Sequence, residues 1–188
     1  MSAAQLVTPA KLHLPHYVDA LNRDWSPDNV RGRATAEEQL HKINANPDQF
    51  LSSLVDEEAQ GDPINLPDGS TVSRLPGFIR WIWDGEFCGS IGFRWQKGTS
   101  ELPPHVLGHI GYTVVPWKQG RGFATAALRQ LLPFAKVRGL TFVDLTTDPD
   151  NVASQKVITA NGGYLLERFH KAAAYGGGLS LRFRIDLQ

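Results

Sequence analysis

The chain has 188 residues, 41% of them hydrophobic, and balances 19 Lys plus Arg against 19 Asp plus Glu for a formal net charge of zero. That is the length and apolar content of one ordinary globular core, and the lack of a basic excess excludes general affinity for nucleic acid or anionic membrane. The only cysteine, Cys88, has no partner for an internal disulfide, and no leader pattern or membrane-length apolar run is present, so a cytoplasmic chain with Cys88 as a small buried hydrophobe is expected.

Gln5 to Thr8 reads as a short first strand. Leu12, Leu14, Tyr17, Val18 and Leu21 then recur at helical spacing, predicting an amphipathic helix that ends near Trp25. Thr35 followed by Glu38 predicts a capping box at the start of a second helix. Asn46, with Pro47 behind it and Gln49 three residues on, predicts the cap of a third. Gly61 to Pro76, with three prolines and two glycines, is expected to be a loop and a flap on the substrate side.

Strand periodicity takes over at Gly77. Phe78 to Trp83 and Phe87 to Trp95 flank Asp84-Gly85, which predicts a hairpin, since Asp-Gly suits the positive φ angles of a type I′ turn. Trp81, Trp83 and Trp95, together with Trp117, are expected to be core residues more than a ligand cage. His109 to Val115 predicts another strand, and Ala124 to Val137 a helix bent at Pro133. A strand at Phe142 to Thr146, a short helix at Val152 to Ala160, and strands at Tyr164 to Arg168 and Leu179 to Leu187 complete the chain. This order implies an α/β or α+β fold with a mixed sheet.

The segment Val114-Val115-Pro116-Trp117-Lys118-Gln119-Gly120-Arg121-Gly122-Phe123-Ala124 leaves a strand and opens a helix. Two glycines at a helix mouth expose consecutive N–H groups where the helix dipole is positive, which suits a phosphate; the same glycines also suit a plain strand-to-helix turn. The Gly-Lys-Ser/Thr ending of a Walker A loop is missing, and so is an acidic residue at the end of the next strand, which reads Leu145-Thr146-Thr147. Further on, Asp150 or Asn151 can cap the following helix, while Asn151 and Ser154 can also bond an amide-bearing ligand.

These elements resemble the GNAT superfamily of acetyl-CoA-dependent N-acetyltransferases. Gln119-Gly120-Arg121-Gly122-Phe123-Ala124 matches the family's Gln/Arg-x-x-Gly-x-Gly/Ala signature. Asn151, Ser154 and Gly162-Gly163-Tyr164 look like its second motif, and His109 to Pro116 like its central strand. Around Ile110-Gly111-Tyr112 and Asn161-Gly162-Gly163 the wording is similar to a bacterial branch of acetyltransferases with unassigned substrates. The resemblance is strong over Gly77 to Arg168 and only topological before Pro76. It implies one domain over 1–188, with an N-terminal helical, acceptor-side part (1–76) and an acyl-CoA-binding core (77–188). The implied fold is a mostly antiparallel sheet splayed at its middle, with helices on both faces.

By that resemblance, backbone amides from Gln119 through Gly120, Arg121, Gly122, Phe123 and Ala124 hold the CoA pyrophosphate, and Thr125 adds a hydroxyl. Val114 and Val115 pair with pantetheine along a bulged strand, one N–H polarises the thioester carbonyl, Asn151 and Ser154 bond the pantetheine arm, and Lys156 either reaches a nucleotide phosphate or is a solvated helix lysine. The acetyl group passes directly to a primary amine, borne by a small molecule or a protein, in a ternary complex; no metal is called for. His109 is the candidate base, with the alternative of a packed core histidine; Glu101 and His105 stand behind it. The position at which many members carry a Tyr acid is Ile158. A CoA-binding module without catalysis and a transferase for a larger acyl-CoA are the rival readings. The glycine-rich stretch Lys171 to Gly178 is expected to join the last strands and to form part of the acceptor pocket or a homodimer contact.

Overall fold

The computed structural model describes residues 4–66, 69–173 and 177–187. The glycine-rich stretch therefore falls partly outside the described residues, at 174–176. Ten strands and five α-helices are described in chain order. β1 (Gln5–Val7) is followed by a 3-10 turn (Lys11–His13) and α1 (Leu14–Asn22). α2 (Arg33–Ala45) and α3 (Pro47–Ser53) come next, then the short strands β2 (Val55–Asp56), β3 (Ile64–Asn65) and β4 (Thr71–Val72). The core strands are β5 (Gly77–Trp83), β6 (Phe87–Arg94) and β7 (Ile110–Val114). After α4 (Phe123–Val137) come β8 (Phe142–Thr147), α5 (Val152–Thr159), β9 (Tyr164–His170) and β10 (Leu179–Asp186).

The strands form two main antiparallel sheets, β1-β5-β6-β7 with β2 also on β5, and β8-β10-β9. β7 and β8 face each other across the break between them. A cluster containing Ile91, Phe93, Leu128, Leu131, Val143, Ile158 and Phe183 spans both sheets beneath α4 and α5. A second cluster on the other face of β5 and β6 joins α1, α2 and α3 through Tyr17, Leu21, Ile43, Phe50, Trp81 and Phe87. Tyr17 stacks on Trp81 with ring centroids 4.4 Å apart. Trp81 and Trp95 are buried, as their alternation predicts, whereas Trp117 is 37% exposed and lies under the Arg23 guanidinium, 3.6 Å from its ring.

Three local expectations are corrected. α2 begins at Arg33 after Gly32, whose φ of +49° ends the preceding turn, so Thr35 lies inside the first turn and no capping box forms. Its hydroxyl instead reaches Asp28 Oδ2 at 3.4 Å, and Glu38 pairs with Arg31 and Lys42. The β5–β6 hairpin closes where expected, with Trp83 paired to Phe87, but its turn is not type I′, because Gly85 has positive φ and Asp84 does not. Within the expected loop, β3 pairs with β4 in a small ribbon. Asn46 caps α3 as expected, its Oδ1 accepting from the Gln49 amide at 3.0 Å.

Candidate active site

The break between β7 and β8 begins at one point of closure. The His109 amide donates to the Asp144 carbonyl at 2.8 Å, and the Asp144 amide donates to His109 Nδ1 at 2.9 Å. Past this point the two strands belong to different sheets, and the edge of β7 lies open.

Register decides which backbone groups face that edge. The Arg94 amide donates to the His109 carbonyl, and the Val115 amide to the Cys88 carbonyl, at 2.9 and 3.0 Å. Antiparallel alternation therefore turns odd-numbered residues of β7 toward β6, and turns the main-chain groups of Tyr112 and Val114 toward the break. Val115 is corrected as a pantetheine partner: its amide is spent on β6 and its side chain is fully buried. The expected bulge in β7 is absent as well, since the β6–β7 register runs without a shift from Gly89–Val114 to Phe93–Ile110. The two strands approach so closely at Gly89 that a Cβ there would lie 2.1 Å from the Thr113 carbonyl oxygen.

Beyond β7 the chain makes a 3-10 turn (Pro116–Lys118) and enters α4 through Gly120 and Gly122, with φ of +73° and +80°. Both glycines are needed for this left-handed backbone, and a Cβ on either would project into open space. The first amide to regain a helical acceptor is that of Ala126, bonded to the Gly122 carbonyl at 3.0 Å. Among the described residues the amides from Gly120 through Arg121, Gly122, Phe123 and Ala124 to Thr125 have no acceptor, and Gly120, Arg121 and Gly122 are exposed. A helix mouth of this kind, with free amides at the positive end of the helix dipole, has the geometry that suits an anion. The Gln119 side chain folds back to donate to the Val114 carbonyl at 3.2 Å, leaving the Val114 N–H available.

Lys118 anchors the turn, a role its sequence context does not signal. Its ammonium is buried against Asp84 Oδ1 at 2.7 Å, at the tip of the β5–β6 hairpin, and lies 3.5 Å from Cys88 Sγ. Cys88 is fully buried as expected, and burial pushes its thiol up to about 11.

α5 opens beside the mouth of α4. Asn151 caps it, Oδ1 accepting from the Ser154 amide at 3.0 Å; the carboxamide nitrogen has no acceptor among the described residues. Ser154 Oγ is 2.8 Å from the Tyr112 hydroxyl, which spans the break from β7 to α5; burial pushes the phenol up to about 12. Asn161 ties the two helices together, donating to the Thr125 and Val157 carbonyls at 3.2 and 2.9 Å. Lys156 is exposed on α5 and has no partner among the described residues.

His109 does not have the geometry of a base. Its side chain is fully buried, Nδ1 is occupied by the Asp144 amide, and Nε2 is enclosed and makes no well-formed hydrogen bond, the Ser100 backbone being close enough only to act on its charge. Burial pulls its pKa down to about 4, against smaller opposing effects of Asp144 and Ser100. It is the packed-core alternative that the geometry favours. Ile158 is also fully buried, so no acid faces the break from that position. His105 lines a recess of about 280 Å³ that reaches across the break, with Gly111 from β7 and Thr146 from β8. A second recess, of about 240 Å³, separates the 24–32 segment from Thr113 and Val114, and Trp25 Nε1 donates to Thr113 Oγ1 across it at 3.3 Å. Glu101 is exposed and contributes electrostatically to Arg184.

Residues 34–163 match the family model described as an acetyltransferase (GNAT) domain. No curated protein matches in sequence. The fold is similar to that of RimL, a ribosomal L7/L12 alpha-N-protein acetyltransferase solved with coenzyme A, at 16% identity and a TM-score of 0.63, covering 100% of this chain and 96% of that one. It is also similar to the microcin C7 self-immunity acetyltransferase MccE, solved with acetyl-CoA and AMP (16% identity, TM-score 0.60, 97% and 92% covered), and to a GNAT-family acetyltransferase from Bacillus anthracis (16%, 0.62, 99% and 96%). With an open β7 edge leading to a glycine-lined helix mouth, and a family match over more than half its length, the chain belongs to the GNAT family of N-acetyltransferases.

Proposed function

We propose that the protein transfers the acetyl group of acetyl-CoA to a primary amine in a ternary complex. The observation that carries this reading is the run of acceptor-free amides from Gly120 to Thr125 at the mouth of α4, next to the open edge of β7. In this reading those amides hold the pyrophosphate and Lys156 a nucleotide phosphate. Main-chain groups of Tyr112 and Val114 pair with pantetheine, and Asn151 Nδ2 donates to one of its amide carbonyls. A β7 N–H facing the break then stabilises the oxyanion as the amine nitrogen attacks the thioester carbon. The C–N bond forms, the C–S bond breaks, and the amine loses one proton while the CoA thiolate gains one.

For the proton leaving the amine we assign His105, which borders the break where His109 does not. For the proton gained by sulfur we assign Tyr112, which remains protonated at neutral pH and reaches α5 from the opposite wall. Release of free thiol from acetyl-CoA over a panel of amines tests the whole reading. His105→Ala and Tyr112→Phe should each slow turnover by about 10²-fold with acetyl-CoA affinity nearly unchanged. Tight acetyl-CoA binding without thiol release from any amine would favour a binding module, and preference for a longer thioester would favour the larger acyl-CoA.

A further inference from the structure

The face of β7 that carries Gly111 and Thr113 looks away from α4 and α5, toward the N-terminal helices. The recess of about 280 Å³ on this face has two ionisable residues in its lining, Arg94 and His105, and no carboxylate. Arg94 is the last residue of β6 and its amide is fixed to the His109 carbonyl at 2.9 Å, which positions its side chain at the rim of the break. Its guanidinium has no ion-pair, hydrogen-bond or aromatic partner among the described residues. The carboxylate on neighbouring β8, Asp144, is committed to Arg184 through two bonds of 2.8 and 2.9 Å. Arg94 is an exposed residue of the recess lining, and partial desolvation by the groups around its side chain lowers its pKa.

A second observation comes from the floor. Gly111 has no positive φ, and a Cβ there would meet nothing within 4 Å, so neither backbone strain nor packing requires glycine. Gly108 differs, because a Cβ there would press to 3.1 Å from the Asp144 carbonyl. The missing side chain at Gly111 keeps the recess open beside an uncompensated guanidinium.

We propose that this recess is the acceptor subsite and that Arg94 binds the carboxylate of a free amino acid, holding its amine at the β7–β8 break. The inference rests on the acetyl-transfer reading above. A planar guanidinium matches a carboxylate through two parallel hydrogen bonds. A phosphate dianion is less well served, since a single guanidinium is the recess's only permanent cation and the helix mouths lie on the other face of β7. A volume at the small end of ligand sites suits a free metabolite. A protein N-terminus, whose first residue has an amide in place of the carboxylate, would leave Arg94 unpaired.

The test compares common amino acids with their carboxamides, and phosphoethanolamine with ethanolamine, by thiol release. The same ligands are titrated calorimetrically into the full chain saturated with CoA. The expected result is an amino acid that binds and turns over with kcat/KM about 30-fold or more above its carboxamide. Arg94→Gln should remove that preference while acetyl-CoA affinity stays within about twofold, Arg94→Lys should restore part of it, and Gly111→Val should block the amino acid in a protein that melts like the parent. Equal use of acid and carboxamide, a preference insensitive to Arg94→Gln, or preference for the phosphorylated amine would overturn the carboxylate assignment and leave acetyl transfer standing. Turnover of no amine would count against acetyl transfer; calorimetric binding of an amino acid that needs Arg94 would then still support the subsite, and no saturable binding at millimolar concentration would overturn it.

Discussion

His109 links the stability of the fold to pH, because burial just before β7 holds its imidazole neutral. The folded state holds it neutral, with a pKa near 4, while in the unfolded chain it titrates at about 6.5. Between those values the unfolded state binds more protons, so stability is fully present above pH 6.5 and is lost as pH falls toward 4, by up to about 3 kcal/mol from this group. Melting temperature should therefore drop through that window, and His109→Gln should flatten the drop while lowering stability at neutral pH. His109→Ala should lose activity only in step with folding, measured as turnover per folded molecule. Truncating Lys118 to Met strands the Asp84 carboxylate in a largely buried position, at a cost of about 3 kcal/mol in urea unfolding. Acetyl-CoA affinity should weaken with it, because the turn before Gly120 loses its tie to the β5–β6 hairpin.

At the scale of elements, β7 and the mouth of α4 act together as an edge followed by a cradle. Gly122→Val places a side chain in the open space over the amides and forces a branched residue to φ near +80°, so acetyl-CoA affinity should fall by more than about 100-fold while stability falls by about 1–2 kcal/mol. An unchanged dissociation constant would reduce the loop to a turn. The register makes a finer prediction. Acetyl-CoA should slow hydrogen exchange at the amides of Tyr112, Val114 and residues 120–125, and should leave Val115 unchanged, because that amide is already bonded to Cys88. Protection at Val115 in place of Val114 would mean that the strand binds its ligand in the other register.

For the molecule as a whole, β7 and β8 contribute to two sheets bridged by one core, and a ligand entering the break contacts both. Binding restricted to the native state raises stability by about 2.7 kcal/mol at a hundredfold excess over the dissociation constant. A clear rise in melting temperature with acetyl-CoA is expected, and a larger one with CoA and the amino acid together. A melting curve that acetyl-CoA does not move would count against the site.

The sequence by itself determined the elements whose causes are local. Alternation marked β5 and β6, the Asn46-Pro47 pair marked the start of α3, and Gln119 to Ala124 marked a glycine-lined helix mouth, because glycine spacing and helix polarity act within a few residues. It also held the two readings of His109 and of Asn151 without choosing between them. Tertiary structure chose the packed-core geometry for His109 and let the Asn151 readings coexist, since Oδ1 caps α5 while Nδ2 stays free among the described residues. Whether an imidazole meets substrate or the Asp144 amide depends on a strand 35 residues away. Whether Val114 or Val115 faces the break depends on pairing with β6, and a shift of one residue reverses the answer. Arg94 carries no motif at all: its meaning comes from β6, β7 and β8 enclosing a space that lacks a carboxylate, and a missing counter-charge is a property of three-dimensional neighbours alone.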